Sequence, residues 1–373
     1  MTKSCGVYVH IPFCKSRCAY CSFCSSVYNQ EVEQQYFQKL FAEIDNVIPK
    51  HTISSIFFGG GTPSVVKPEN ICLSLNKIFK KFDVERSAEI TLEANPGTVT
   101  EECLKKYCLA GFNRISFGGQ SFDEIALKKL GRTHSVKQIF EAVEMAKTAG
   151  FDNINLDLIL GAEPLNHKSF VENIKKCKSL GVTHLSVYIL MLENGTRLFE
   201  EVENKTKTVL SDEDVTKDYL FVQTALKNLG FIQYEISNFA LIGKECQHNL
   251  NYWKCGNYYG FGASAHRFLN GIREENVADV HKYTNFPIDN ITLNQEILTK
   301  QDKITEFIML GLRTTKGVCL KTLVDLGYDI EKEKQGQLKV LLGKKMVQIK
   351  DGFLRICPKN FVLSNQIILK LIP

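Results

Sequence analysis

The sequence predicts an α/β protein: an incomplete, open (β/α)6 barrel followed by a smaller α+β, winged-helix-like unit. Three observations lead there. Short runs rich in Val, Ile and Phe recur six times in about the first 190 residues, each followed by a segment with helical periodicity. The motifs that carry chemistry fall at the ends of those runs. Beyond residue 200 the alternation stops, and helices followed by a hairpin take over near the end of the chain.

The strand candidates are Cys5–Ile11, Ser54–Phe58, Glu89–Glu93, Arg114–Phe117, Ile154–Leu160 and His184–Leu190. Several are nearly continuous apolar runs, as strands buried on both faces are. Between them, Val32–Val47 carries a helical stripe of Tyr36, Phe37, Leu40 and Ile44. Ser135–Thr148 places Val136, Ile139, Phe140, Val143 and Met145 in the same way, with Gly150 as its stop signal. Ser169–Leu180 ends likewise at Gly181. Such alternation makes a parallel sheet with helical crossovers. Eight units would close a TIM-type barrel of about 250 residues; six leave a partial one, with its chemistry at the C-terminal strand ends.

After residue 200, Ser211–Leu229 reads as a helix capped by Ser211, with acids in its first turn. Phe231–Ile236 reads as a strand, and the Gly-, Asn- and Tyr-rich stretch Cys255 to Gly262 as a loop. Lys303–Arg313 is helical and Leu320–Leu326 starts another helix. Val347–Ile349 and Phe353–Ile356 flank Asp351-Gly352, a two-residue hairpin signal. The expected division is a barrel over 1–235 and a second region over 236–373, with the winged-helix-like unit from about 300.

An apolar fraction of 44% and a charged fraction of 23% exclude a disordered chain, and no apolar stretch approaches the roughly 20 residues of a membrane span. The first residues lack a charged segment followed by a long apolar one, so reduced thiols and a cytoplasmic setting are expected. The thirteen Cys are an odd number, which argues further against a disulfide framework. Cys72, Cys103, Cys108 and Cys177 read as small core hydrophobes. From Lys300 onward, fourteen basic residues face seven acidic ones. A basic tail can touch nucleic acid, a membrane surface or an acidic partner, but these lysines are spread out, as on a solvated surface. No Arg/aromatic strip accompanies them, so a nucleic-acid-modifying role is the weakest reading and no nucleic-acid partner is expected. A peripheral membrane contact and a dimer are compatible with the sequence.

The first strand leads directly into His10-Ile-Pro-Phe-Cys-Lys-Ser-Arg-Cys-Ala-Tyr-Cys, which sets Cys14, Cys18 and Cys21 at C-x3-C-x2-C spacing. Iron–sulfur clusters that only carry electrons usually have four protein ligands. Three thiolates leave one iron open to a small molecule. Zinc is the competing reading, because Cys24 makes four Cys in eleven residues. It lacks a second ligand pair at matching distance; Cys246, His248 and Cys255 lie far downstream.

Further motifs sit at the following strand ends. Phe57-Phe-Gly-Gly-Gly-Thr-Pro-Ser64 supplies three glycines that let a backbone approach a ligand. Glu93 closes the third strand and can accept both hydroxyls of a ribose. Gln120 lies just past the fourth strand and Arg132 follows it. Asp157 sits inside the apolar fifth strand, where a carboxylate is costly unless partnered. Taken alone, the glycine run reads as a turn and Glu93 as an incidental surface acid.

C-x3-C-x2-C is the signature of radical S-adenosylmethionine (SAM) proteins. From about residue 5 to at least 320, the chain resembles radical SAM proteins of the oxygen-independent coproporphyrinogen oxidase superfamily. The resemblance implies a radical SAM (β/α)6 partial barrel and a [4Fe-4S] cluster on Cys14, Cys18 and Cys21, with SAM on the open iron. It also implies that Tyr8, Gly60, Gly61, Thr62, Glu93, Gln120, Arg132 and Asp157 hold cluster and SAM.

Two functional branches are known in that superfamily. The oxidases carry a fourth Cys two residues after the third, where this chain has Phe23, Cys24 being displaced by one. They also carry a longer segment ahead of the loop, whereas thirteen residues precede Cys14 here. The block His248-Asn249-x-x-Tyr252-Trp253 resembles the HemW branch of haem chaperones, as do Tyr234–Asn238 and Gly260–His266. The expectation is therefore a chaperone that binds haem and delivers it to recipient haem proteins. His248 would supply an axial imidazole, with Cys246 and His266 as alternative ligands; packing is the competing role for His248 and Trp253. The alternative function is radical decarboxylation of coproporphyrinogen III, which requires an electron donor for SAM cleavage.

Overall fold

The computed structural model describes residues 5–373. Six strands form the barrel wall: β1 (Cys5–Ile11), β2 (Ile53–Gly60), β3 (Val84–Ala94), β4 (Arg114–Gln120), β5 (Ile154–Leu160) and β6 (Val182–Ile189). They are hydrogen-bonded in chain order and all parallel. Every residue of β4 is buried, from Arg114 and Gln120 at its ends to the apolar and small residues between them. The crossover helices Val136–Ala149 and His167–Leu180 end at Gly150 and Gly181, whose φ values of 111° and 112° a side chain would disfavour.

The sheet is wider than six strands. On one side β7 (Ile232–Gln233) and β8 (Asn238–Ala240) continue antiparallel from β6; on the other, β9 (Tyr258–Phe261) pairs parallel with β1. Antiparallel β10 (His266–Leu269), β11 (Ile272–Asn276) and β12 (Thr292–Ile297) then complete twelve strands.

Two sequence expectations need correction. The stretch Cys255 to Gly262 holds strand β9, because the open edge of β1 supplies hydrogen-bond partners that local composition does not reveal. Gly260 is part of that fit, since a Cβ there would lie 1.9 Å from the His266 carbonyl oxygen. The strand expected over Phe231–Ile236 is only two residues long. At Tyr234 the chain turns to meet the C-terminal unit: Thr315 N donates to Tyr234 O (3.0 Å) and Ile236 N to Arg313 O (2.9 Å).

The C-terminal unit packs helices Lys300–Gly311, Leu320–Asp325, Gln335–Gly343 and Ser364–Leu371 around a three-stranded sheet. Its hairpin, Val347–Lys350 with Phe353–Ile356, turns at Asp351 and Gly352 with φ of 53° and 77°, both in the left-handed region that a two-residue turn needs. The buried apolar core runs from the barrel into this unit without a break. Among the described residues, no helix is long and apolar enough to cross a membrane.

Candidate functional site

The cysteine loop leaves β1 at the C-terminal end of the barrel and folds back on itself. Phe13 and Cys14 pair with Ser26 and Val27, and Tyr28 N donates to Cys14 O at 2.9 Å. His10, at the end of β1, anchors the far side. Its Nε2 donates to the Cys24 carbonyl (2.9 Å), which leaves Nδ1 to accept from the Tyr8 hydroxyl (3.0 Å). Burial holds this imidazole neutral by lowering its pKa.

The glycine loop after β2 lies directly against the cysteine loop. Gly61 N donates to Ile11 O (2.9 Å) and Thr62 N to Phe13 O (2.7 Å). A Cβ on Gly61 would stand 2.8 Å from Phe13 O and 3.1 Å from Cys14 Sγ. The glycines therefore do more than turn the chain: they bring its backbone within reach of the thiols. Thr62 Oγ1 contacts Cys14 Sγ at 3.5 Å and accepts from Asn95 Nδ2 at 3.0 Å.

From the opposite wall, Arg132 donates through Nη1 to Cys18 Sγ (3.2 Å) and through Nη2 to Gly118 O (2.7 Å) and Asn95 Oδ1. Glu93 accepts from Gly60 N at 3.2 Å. Burial, reinforced by the neighbouring Asp157, pushes its carboxyl up to about 8. Asp157 is raised too, chiefly by burial, although Asn155 Nδ2 (2.7 Å) and Ser116 Oγ (3.3 Å) donate to it. Gln120 ends β4 with φ of 67°, a left-handed conformation that redirects the chain at the cavity wall.

These groups enclose one cavity of about 380 Å³ at the C-terminal strand ends. Cys14, Cys18 and Cys21 line it, together with Gly60, Gly61 and Thr62. So do Glu93, Gln120, Arg132 and Asp157. Among the described residues, no three His, Cys, Asp or Glu side chains are gathered closely enough for a single metal ion. Asn95, Tyr20, Ser116 and Tyr188, none of them singled out from the sequence, also line the cavity. Their signals were positional: Tyr20 lies between Cys18 and Cys21, Asn95 two residues past Glu93, and Tyr188 near the end of the sixth strand.

Tyr8 and His248 lie elsewhere. Both line a second chamber of about 160 Å³ inside the barrel, which shares Glu93, Ser116, Asp157 and Tyr188 with the large cavity. His248 is fully buried on the short helix Gln247–Trp253. Nδ1 shares a hydrogen bond with Ser55 Oγ and Nε2 one with Tyr252 Oη, each at 2.9 Å. Its ring stacks on Phe57, whose other neighbour is Tyr8. A Cβ on Gly6 would lie 3.1 Å from the imidazole, so β1 leaves room for the ring. Neither ring nitrogen is free here. His266 is exposed and Cys246 buried, its thiol donating to Glu89.

The fold and the cysteine loop define a radical SAM protein of the HemN type. The radical SAM superfamily profile matches residues 8–177 and the HemN C-terminal domain profile residues 298–363. Coproporphyrinogen III oxidase (HemN) from Escherichia coli superposes with a TM-score of 0.85, at 21% identity, over 100% of this chain and 90% of its own. Closer in sequence is the Heme chaperone HemW of Lactococcus lactis, 33% identical over 99% of this chain and 98% of its own. That of Bacillus subtilis is 33% identical over 97% of both chains, and that of Escherichia coli 38% identical over 70% and 69%. The chain belongs to the HemW family.

Proposed function

We propose that this protein is a haem chaperone that carries a SAM-liganded [4Fe-4S] cluster, binds haem and delivers it to haem proteins. The observation that carries the chaperone reading is the end-to-end likeness to relatives named heme chaperones. The cofactor half is supported by geometry: three thiols and a glycine backbone share one cavity, and a side chain on Gly61 would crowd Cys14. Cys14, Cys18 and Cys21 bind the cluster. Gly60, Gly61 and Thr62 present backbone and hydroxyl groups to the methionyl end of SAM, and Arg132 adds positive charge beside Cys18. Glu93 and Asp157 receive ribose hydroxyls, Gln120 closes the wall, and Tyr8 holds His10 and with it the loop. When bound and reduced by an external electron donor, such a cluster supplies the electron that cleaves SAM. The reduced thiols this loop needs suit a cytoplasmic setting.

Exposed Phe23, Ile189 and Met191 form an apolar lip on the cavity, suited to a flat macrocycle. His248 reaches haem iron only if one ring nitrogen gives up its hydrogen bond, to Ser55 on β2 or to Tyr252 on its own helix. The test is a haem titration of the full chain, followed by transfer to a haem-free acceptor protein. Binding and transfer are expected. Robust anaerobic conversion of coproporphyrinogen III to protoporphyrinogen IX would replace this reading with the oxidase.

A further inference from the structure

Arg114 opens β4 and is only 2% exposed, with its side chain lining the inner chamber. Among the described residues its Nε has no hydrogen-bond partner. Glu89 Oε2 stands 4.0 Å from Nε, beyond hydrogen-bond range. The Glu89 carboxylate is also committed elsewhere: it accepts from Cys246 Sγ (3.3 Å), Gln247 N (3.1 Å) and His248 N (3.1 Å). A buried guanidinium with unspent donors is costly, and native proteins seldom leave such groups unmatched.

We propose that Arg114 anchors a small-carboxylate subsite in this chamber, behind the large cavity, away from the three thiols and sharing only the walls Glu93 and Asp157 with the SAM position on which the reading above rests. Guanidinium is the side chain best shaped to take a carboxylate through two parallel hydrogen bonds. A volume of about 160 Å³, some five waters at ~30 Å³ each, holds an acetate-sized anion and excludes a porphyrin ring. Asn249 lines the same space. Glu93 and Asp157 also line it, and burial raises both carboxyls, which weakens the repulsion an anion meets. Because the chamber shares walls with the large cavity, the carboxylate arrives either as a free anion or as the acid arm of a larger ligand.

The full chain, in carboxylate-free buffer, is titrated with [1-13C]acetate against chloride at matched ionic strength, with the carbon line width as readout. Wild type is expected to saturate, Arg114→Met to bind at least about tenfold more weakly, and Asn249→Leu several-fold more weakly. A wild-type response no different from chloride overturns the proposal. So does wild-type affinity in Arg114→Met or, if that variant fails to fold, in Asn249→Leu. Competition by haem but not by haem dimethyl ester assigns the acid to a propionate arm; competition by neither assigns it to a free small carboxylate. Either supports the subsite.

Discussion

Arg132 donates a hydrogen bond to Cys18 Sγ across 3.2 Å, tying the turn before the helix Val136–Ala149 to the loop after β1. The same guanidinium holds the Gly118 carbonyl and the Asn95 amide, so one side chain sets three walls of the cavity. Arg132→Ala is expected to keep its iron yet bind SAM at least tenfold more weakly, since one hydrogen bond to a charged group contributes about 1.5–3 kcal/mol. Equilibrium dialysis of the reconstituted protein with labelled SAM measures this. Wild-type affinity would remove Arg132 from the site.

Cys14→Ser, Cys18→Ser and Cys21→Ser should each lose most cluster iron and the visible sulfide-to-iron absorbance. Cys24→Ser should keep both, because the Cys24 thiol turns away to the Ala278 carbonyl, 3.1 Å from it. Iron and sulfide analysis after anaerobic reconstitution separates the four. Equal loss in Cys24→Ser would make it a ligand.

Gly61→Ala puts a Cβ 2.8 Å from Phe13 O and 3.1 Å from Cys14 Sγ, so one of the two loops must shift. Cluster occupancy should fall several-fold, while the melting temperature drops only modestly because the strain sits at the cavity rim. Full occupancy in this variant would show that the loops have slack.

The Glu93 carboxyl is pushed from 4.5 to about 8 in the folded chain. The folded state therefore holds a proton that the unfolded state has lost, and stability falls as pH rises from 4.5 through 8. Glu93→Gln imitates the neutral acid. It should match wild type near pH 5 and be more stable near pH 8, as read by urea unfolding at both values. A variant equally destabilised at both would show that the carboxylate is needed charged.

His248 runs the other way: burial lowers it from 6.5 to about 3, so its contribution is whole above 6.5 and is lost as pH falls toward 3. His248→Phe should flatten the acid limb of the stability curve. His248→Ala should cost about 2–4 kcal/mol through the lost ring packing and two hydrogen bonds. A haem titration of His248→Ala, compared with wild type at a temperature where both are folded, tests the ligand role; an unchanged Soret spectrum ends it.

Most of the barrel was legible because its strands are locally coded. Cys5–Ile11 and Ile154–Leu160 have the predicted bounds, the latter an apolar run between helices stopped at Gly150 and Gly181. Strand β9 was not legible: Gly, Asn and Tyr form a strand there only because β1 offers an open edge. Asn95 was hidden in the same way, its turn-forming neighbours masking an amide held between Thr62 and Arg132.

By itself the sequence determined the cysteine spacing, the order of the motifs and the periodicities that make β/α units. These depend on neighbours a few residues apart. Only the tertiary structure decided that Tyr8 and His248 face a chamber separate from the cavity of the thiols, and that Arg114 lies buried without a hydrogen-bond partner at Nε. Partners such as Ser55 for His248, or Glu89 for the helix that bears it, come from strands 193 and 159 residues away. Which buried polar group meets which is set by how those elements pack, and no local pattern records it.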